Sequence, residues 1–345
     1  MKTPRPGNRR AAARVLLLML ATLSSPWVVA QSTVCIDTDA LNWNWQHPTP
    51  HGQETNELQW VPERGEFVGM GDAVITTVDG LSWSIGHRFA PSMALDYVWN
   101  DTEFMVVTRD ASRYNGSIER STDLLNWTTR TSTDTVLSAI AWNGLRYVVV
   151  GEHTTGGNML TSTDGVTWTR IDSGTTNFLS DIVFADGQFV AVGISGTVLT
   201  SVDGLSWTPQ TSNTSKELRT VVWNGSQYVA GGPFDDELVY SADGIAWASV
   251  EIPVRPGTLS SIGSSVYLMG RSKIDTTEIN VSDDLFTWSK TVTPGLVQAV
   301  STNGTVKIEA GLSGQQALGI DGFNLQLSED VLADQALSKL VTLDG

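Results

Sequence analysis

The chain has 345 residues, with 37 Asp and Glu side chains against 21 Lys and Arg, and its formal net charge is −16. Such a charge repels phosphate backbones and anionic lipid headgroups, so we expect neither nucleic acid nor a membrane surface as a partner. The single cysteine, Cys35, excludes an intrachain disulfide. The fold must therefore be stabilised by its apolar core.

Residues 1–30 are typical of a secretory signal peptide. Five basic residues and no acidic residue accompany an apolar run from about Val15 to Leu23, and small residues precede Gln31. Removal of this segment leaves 16 basic against 37 acidic residues, a net charge near −21. No later stretch reaches about 18 consecutive apolar residues, so we expect a mature chain that is periplasmic or secreted and does not insert into a membrane.

One short motif recurs along the rest of the chain. It has Ser or Thr, then Asp two residues later, and Trp four residues after the Asp, and its copies are 39 to 44 residues apart. The six clear copies pair Asp79 with Trp83, Asp123 with Trp127, Asp164 with Trp168, Asp203 with Trp207, Asp243 with Trp247, and Asp284 with Trp288. Weaker copies are Asp39 with Trp43, and Asp321 with Leu325. We call this motif the box.

A second series of aromatic residues alternates with the boxes. It comprises Trp60, Trp99, Trp142, Phe184 and Trp223, at intervals of 39 to 43 residues. Tight-turn dipeptides such as Asn143-Gly144 follow several of them, and short β-branched and aromatic runs lie on either side. Each repeat therefore contains four short strands, predicted in the third repeat at about 136–143, 146–151, 158–162 and 166–171.

Four strands in a period of about 40 residues are typical of a β-propeller blade. We predict an all-β, seven-bladed propeller of four-stranded antiparallel blades over residues 31–327, with eight blades as the alternative. Residues 36–46 are expected to lend a strand to the last blade, over 296–327, where Leu325 replaces the tryptophan. Residues 328–345 form a C-terminal tail in which 328–341 is compatible with a short helix.

The box has a structural explanation in this fold. A turn between strands leaves backbone N–H groups without partners, and the carboxylate of a residue such as Asp164 can accept two or three of them. A following glycine supplies the positive φ of a tight turn. A tryptophan such as Trp168 then packs between neighbouring blades. Because catalysis does not need seven copies of one carboxylate, we interpret the boxes as structural.

The boxes resemble the Asp-box of bacterial sialidases, usually Ser-x-Asp-x-Gly-x-x-Trp, and residues 39–327 resemble secreted bacterial BNR-like repeat propellers. The chain is also similar to the propeller-type photosystem II assembly factors. It departs from the sialidase form because glycine directly follows the aspartate, and because Leu124 and Leu285 replace that glycine in two copies. The resemblance implies a propeller and, by the position of the sialidase active site, a functional face opposite the boxes.

The first-to-second hairpins share the face of the boxes, which we call the box face, whereas the second-to-third loops and the connections between blades form the opposite loop face. Candidate binding residues on the loop face are Arg88, Arg109, Arg113, Tyr114, His153, Asp235, Asp236, Arg255 and Arg271. We assign no catalytic, cofactor-binding or metal-binding residue. The predicted function is a monomeric, non-catalytic binding or scaffold protein that recognises a protein or a glycan. The alternative is a sialidase-like hydrolase acting on glycans.

Overall fold

The computed structural model describes residues 55–80, 83–112, 114–133, 135–152, 159–233, 236–252, 257–273, 276–294, 297–304, 306–311, 316–320, 324–327 and 341–344. Within these residues, six antiparallel sheets of four strands follow one another, and the strands of each sheet are paired in sequence order. This arrangement confirms an all-β propeller of four-stranded blades.

The strands of the six blades have the following bounds. They are β1–β4 at Thr55–Val61, Glu66–Gly71, Ala73–Thr77 and Ser84–Arg88; β5–β8 at Met93–Trp99, Phe104–Arg109, Gly116–Ser121 and Thr128–Thr133; β9–β12 at Leu137–Trp142, Tyr147–Gly151, Met159–Ser162 and Thr169–Ile171; β13–β16 at Leu179–Ala185, Gln188–Gly193, Thr197–Ser201 and Thr208–Thr211; β17–β20 at Thr220–Trp223, Tyr228–Gly231, Glu237–Ser241 and Ala248–Glu251; and β21–β24 at Thr258–Ile262, Ser265–Lys273, Thr276–Ser282 and Ser289–Pro294. A 3-10 turn, Ile194–Gly196, precedes β15.

Within a blade, the second strand is buried, whereas the fourth strand is largely exposed. Strand β10 is buried at all five positions, as expected for an apolar run covered on both faces. Strands β8 and β20 are mostly exposed or half-buried, and β8 is rich in Thr and Ser. The second strands thus supply the core, and the fourth strands form the hydrated outer edge of each blade.

Apolar clusters join each blade to the next. Val61 and Val68 of the first blade, for example, pack with Tyr97 and Phe104 of the second. Equivalent clusters connect the second blade to the third, the third to the fourth, the fourth to the fifth and the fifth to the sixth. Each first strand also contacts the first strands of its neighbours, so these strands form the innermost ring.

The expected number of blades is wrong: the described residues form six four-stranded blades, not seven or eight. The residues after the sixth blade form a three-stranded sheet, β25–β27, at Val297–Thr302, Val306–Gly311 and Gln316–Ile320. Its residue Val300 packs against Met269 of the sixth blade, and Ala299 packs against Leu58 of the first. This incomplete sheet therefore lies between the last blade and the first.

The last box explains why the repeat count overestimated the number of blades. The strand predicted to complete this repeat, β28 at Asn324–Leu327, pairs with β29 at Val341–Asp344 instead of with β27. Leu325 stands where six earlier repeats have tryptophan. Part of the predicted tail is thus a strand, whereas residues 328–340, the strand expected at 36–46 and the signal peptide lie outside the described residues.

In the part of the chain that the structure describes, no helix has the length and the apolar composition that crossing a membrane requires.

Trp247 offers a test of the packing between blades. It is 5% exposed, lies in the cluster between the fourth and fifth blades, and donates its Nε1–H to the Gly244 carbonyl at 2.8 Å. We expect Trp247→Ala to lower the free energy of unfolding by about 3–5 kcal/mol, because it leaves a cavity. Urea denaturation measures this loss.

The matched control is Trp168→Ala. Trp168 holds the same position of the third blade but is only partly buried, so its replacement should cost less. Equal costs at the two positions would contradict a stabilisation that depends on burial between blades.

Candidate functional site: the boxes, the loop face and the central channel

The box is a closed hydrogen-bonded turn. Asp164 Oδ1 accepts the backbone N–H groups of Val166 and Thr167 at 2.8 and 2.7 Å. Ser162 donates its hydroxyl to the same carboxylate at 2.9 Å and accepts the N–H of Gly165 at 2.9 Å. The carboxylate therefore pairs backbone groups that the turn would leave unsatisfied.

Four other copies repeat this geometry. Asp123, Asp203, Asp243 and Asp284 each accept the N–H groups two and three residues later, at 2.6 to 2.9 Å. Asp79 accepts the hydroxyl of Thr77 at 3.1 Å, and residues 81–82 of its turn are not described. The weaker copy Asp39 with Trp43 lies outside the described residues.

Leucine keeps the geometry of the glycine that it replaces. Leu124 and Leu285 have φ of +66° and +68°, close to the +65° of Gly165. Their N–H groups donate to Ser121 and Ser282, at 2.9 and 2.8 Å. Both side chains are buried in the clusters between blades. Burial of the side chain thus compensates for a backbone conformation that leucine rarely adopts.

These hydrogen bonds hold the box aspartates in the ionised form. The N–H of Thr167, followed by that of Val166, lowers the pKa of Asp164 to about 2. Equivalent bonds lower the pKa of Asp123, Asp203, Asp243 and Asp284. Such a carboxylate is a weak base with its lone pairs already engaged, which favours a structural role over proton transfer.

The tryptophans of the boxes pack at the boundary between their own blade and the preceding one. Trp83, Trp127, Trp168, Trp207, Trp247 and Trp288 each contact the cluster at that boundary. Trp247 is buried, whereas the other five are half-buried. They therefore remove less surface from water than fully buried indoles would.

Three predicted residues belong to the loop face of the first two blades. Arg88 ends β4 and is exposed. Arg109 ends β6 and places Nη2 3.4 Å from Met93 Sδ. Tyr114 follows on the loop from β6 to β7 and is 74% exposed.

The loop that carries Tyr114 is shaped by Asp110. Ser112 donates its hydroxyl to Asp110 Oδ1 at 2.6 Å, and the Asn115 amide donates to Oδ2 at 2.8 Å. The backbone N–H of Asn115 donates to Asp110 Oδ1 at 3.4 Å, and that of Tyr114 donates to the Ser112 hydroxyl at 3.2 Å. The tyrosine therefore projects from a preorganised loop.

The remaining predicted residues do not join this group in the described structure. Arg113, His153, Asp235 and Arg255 lie outside the described residues, and Arg271 is described only as part of β22. Asp236 is paired with Lys216 Nζ at 2.7 Å. Among the described residues, no group of three or more His, Cys, Asp or Glu side chains is arranged to hold a metal ion.

The innermost ring holds three carboxylates that the sequence analysis missed. Glu57, Asp96 and Asp181 lie on the first strands of the first, second and fourth blades. Their first strands form the innermost ring, and the charges of these groups act on one another there. We call the space inside this ring the central channel. Each one precedes by three residues an aromatic of the second series, a spacing that alignment of the repeats on those aromatics would have shown.

Two of these carboxylates connect neighbouring blades. Asp96 accepts the N–H of Tyr97 at 2.7 Å through Oδ1, and that of Ile140 in the third blade at 2.8 Å through Oδ2. Asp181 likewise accepts the N–H groups of Ile182 and of Val221 in the fifth blade, both at 2.8 Å. Both oxygens of each group thus accept backbone hydrogen bonds that hold two blades in register.

The channel raises the pKa of all three carboxyl groups. Burial raises the pKa of Glu57 to about 7; the hydrogen bond from Gln59 lowers this pKa, and the charge of Asp181 raises it further. Burial, followed by the charges of Glu57 and Asp181, raises that of Asp96 well above its usual range. Burial raises the pKa of Asp181 to about 6 despite its two N–H partners.

This arrangement bears on glycan hydrolysis. A pair of carboxyl groups acts as acid and base only when both can reach the substrate and a proton. The oxygens of Asp96 and Asp181 are engaged by backbone N–H groups, so proton transfer there would cost hydrogen bonds between blades. The geometry therefore favours a structural role for these two residues.

Comparison with protein-family models and with curated proteins finds no match. Solved structures show the fold. The chain is similar to YCF48 bound to D1 peptide, at 14% identity over 79% of this chain and 93% of that chain, with a TM-score of 0.58. It is also similar to the computationally designed protein Ika8, at 12% identity over 78% and 97%, TM-score 0.55. A chain of a nidogen/laminin complex gives 12% identity over 68% and 96%, TM-score 0.52. The likeness to these structures supports the β-propeller fold of the chain.

The two sets of carboxyl groups predict how stability changes with pH. The carboxyl groups of the channel bind protons more tightly in the folded than in the unfolded chain. Their contribution to stability is therefore complete below about pH 4 and declines as the pH rises through about 6 to 7. The carboxyl groups of the boxes bind protons less tightly in the folded chain, so their contribution to stability is lost as the pH falls from about 4 towards 2. We expect the melting temperature to be highest near pH 4 to 5.

Glu57→Gln tests the channel contribution, because glutamine keeps the shape and removes the titration. The difference in melting temperature between pH 5 and pH 8 should shrink in this variant. Glu63→Gln, at an exposed position of the first hairpin, removes the same charge and should leave that difference unchanged. An equal effect of both variants would attribute the pH dependence to overall charge instead.

Proposed function

We propose that this protein is a secreted, monomeric, non-catalytic propeller that binds a protein or a glycan through its loop face. The fold supports a binding or scaffold role in general, since the propellers that it resembles include YCF48 in complex with D1 peptide. The export of the chain rests on the predicted signal peptide. N-terminal sequencing of the exported protein should then begin close to Gln31.

The observation that carries this proposal is the exposure of Tyr114. A tyrosine that is 74% exposed on a loop fixed by Asp110 presents a large amphipathic surface with little conformational entropy to lose on binding. Tyrosine is among the residues that dominate the energetics of protein interfaces. Its ring also offers a stacking surface to a sugar.

Two arginines of the loop face indicate what the partner presents. Arg88 and Arg109 lie on the same face, in a chain whose net charge is −16. Guanidinium groups donate several hydrogen bonds in a fixed geometry that suits carboxylate and hydroxyl acceptors. The favoured partner is therefore a protein surface with acidic groups or a glycan rich in hydroxyl and carboxylate groups.

The hydrolase alternative draws less support from the described residues. The carboxylates of the channel pair backbone groups, and the arginines of the loop face lie at the ends of different blades. A sialidase-like mechanism requires three arginines on one carboxylate, and Arg113, Arg255 and the Arg271 side chain lie outside what the structure describes. Hydrolysis of a sialoside by the purified protein would favour the alternative.

The experiment is capture of partners by the purified mature protein, with a glycan array and a pull-down from the extracytoplasmic fraction, comparing Tyr114→Ala with the unaltered protein. We expect the substitution to weaken the captured interaction by about tenfold or more, as for an interface hot spot. Leu145→Ala is the matched control, because Leu145 is 77% exposed on the opposite, box face. Equal binding by Tyr114→Ala and the unaltered protein would overturn the assignment of the loop face.

A further inference from the structure

A small pocket opens on the box face, at the inner ends of the first three blades. Its volume is about 240 Å³. Three indoles from three different blades form most of its wall, and the lining residues are Gln59, Trp60, Val61, Pro62, Val98, Trp99 and Trp142. The tryptophans hold the same position near the end of β1, β5 and β9, so the repeat places them side by side around the inner ring.

Packing inside each blade fixes the three indoles. Trp60 stacks against Phe67 with ring centroids 4.8 Å apart, and Trp99 stacks against Phe104 at 4.5 Å. Trp142 lies 4.1 Å from Tyr147 in the same way. All three nevertheless remain partly exposed. The pocket thus has rigid aromatic walls that no described side chain covers completely.

An acidic group, Glu57, is hydrogen-bonded to the pocket wall and becomes negative as the pH rises through about 7. No charged side chain lines it, but Gln59 connects it to the channel by donating its amide to Glu57 Oε1 and to the Tyr97 carbonyl, both at 3.4 Å. The arginine of the first hairpin, Arg64, is already paired with Glu66 at 2.6 Å. The carboxyl group of Glu57 has no described cation as a partner, and the carboxyl group of Asp96 interacts with it.

We propose that this pocket binds a small organic cation, specifically an alkylated ammonium group such as that of choline. The negative faces of aromatic rings attract cations, and alkylated ammonium ions are held by cages of this kind because their charge is spread over a weakly hydrated surface. The carboxyl group of Glu57 strengthens that attraction once it is ionised. In that form it would repel an anion and would add nothing to the binding of a neutral apolar group.

Proton binding should be linked to binding of the cation. A positive charge near the channel favours the ionised form of Glu57, whose pKa is raised to about 7, so affinity should increase as the pH rises through that value. The titratable groups that interact with Glu57 are Asp96, Asp181 and Tyr97. This linkage belongs to the box-face pocket and is independent of the binding proposed for the loop face.

The first experiment is titration of the full-length mature protein with choline chloride, followed by tryptophan fluorescence and calorimetry at constant ionic strength. The comparison ligand is 3,3-dimethylbutan-1-ol, which has the shape of choline and no charge. We expect choline to bind saturably and about tenfold or more tighter than the neutral analogue, with higher affinity at pH 8 than at pH 5. Equal affinity for both ligands, or no saturable binding of choline, would overturn the proposal, and glucose tests a neutral sugar as the occupant.

The second experiment uses a control that the repeat provides. Trp223 has the same position in the fifth blade and stacks on Tyr228 at 4.6 Å, but it does not line the pocket. Trp99→Leu should weaken choline binding about tenfold, whereas Trp223→Leu should change it by less than about twofold. Circular dichroism checks that both variants are folded, and Trp142→Leu replaces Trp99→Leu if the latter is not. Equal losses in the pocket variant and in Trp223→Leu would contradict a cage formed by these indoles.

Discussion

The burial of each blade's second strand by the neighbouring blade is the constraint on which the rest of the structure depends. A strand such as β10, buried at every position, cannot be stable in an isolated sheet, because both faces of that sheet would be exposed to water. The clusters between blades supply the missing cover, and the incomplete sheet β25–β27 supplies it where the last blade meets the first. The ring therefore stabilises blades that would not be stable alone.

Carboxylates accept backbone hydrogen bonds at two kinds of position in this ring: the outer turns and the central channel. At the outer turns, box aspartates such as Asp164 accept backbone N–H groups close to solvent, where ionisation of the carboxyl group costs little free energy. In the channel, Asp96 and Asp181 pair N–H groups of two blades, where burial makes ionisation costly. The same chemical group thus has a lowered pKa at the rim and a raised pKa at the centre, because its solvation differs.

The hairpins of the box face are short, so the aromatic residues of the first strands line the centre of that face. Trp60, Trp99 and Trp142 come together there because every blade places its first strand in the inner ring. On the loop face the longer connections vary between blades, and Tyr114 lies on one of them. A repeated scaffold can thus form one site from residues at equivalent positions of several blades, as in the tryptophan pocket. It can form another from a loop that differs between blades, as at Tyr114.

The sequence by itself determined the repeat, the four strands of a blade and the box turn, because these follow from local spacing and turn chemistry. It did not determine that Arg88 and Arg109 would end strands β4 and β6. It did not determine the blade count, since Leu325 and the pairing of β28 with β29 involve partners distant along the chain. Only the tertiary structure decided that Glu57, Asp96 and Asp181 interact electrostatically, and that three tryptophans about 40 residues apart line one pocket. These residues are brought near one another because the first strands of neighbouring blades pack around the inner ring. That packing depends on contacts between repeats, so no single repeat specifies it.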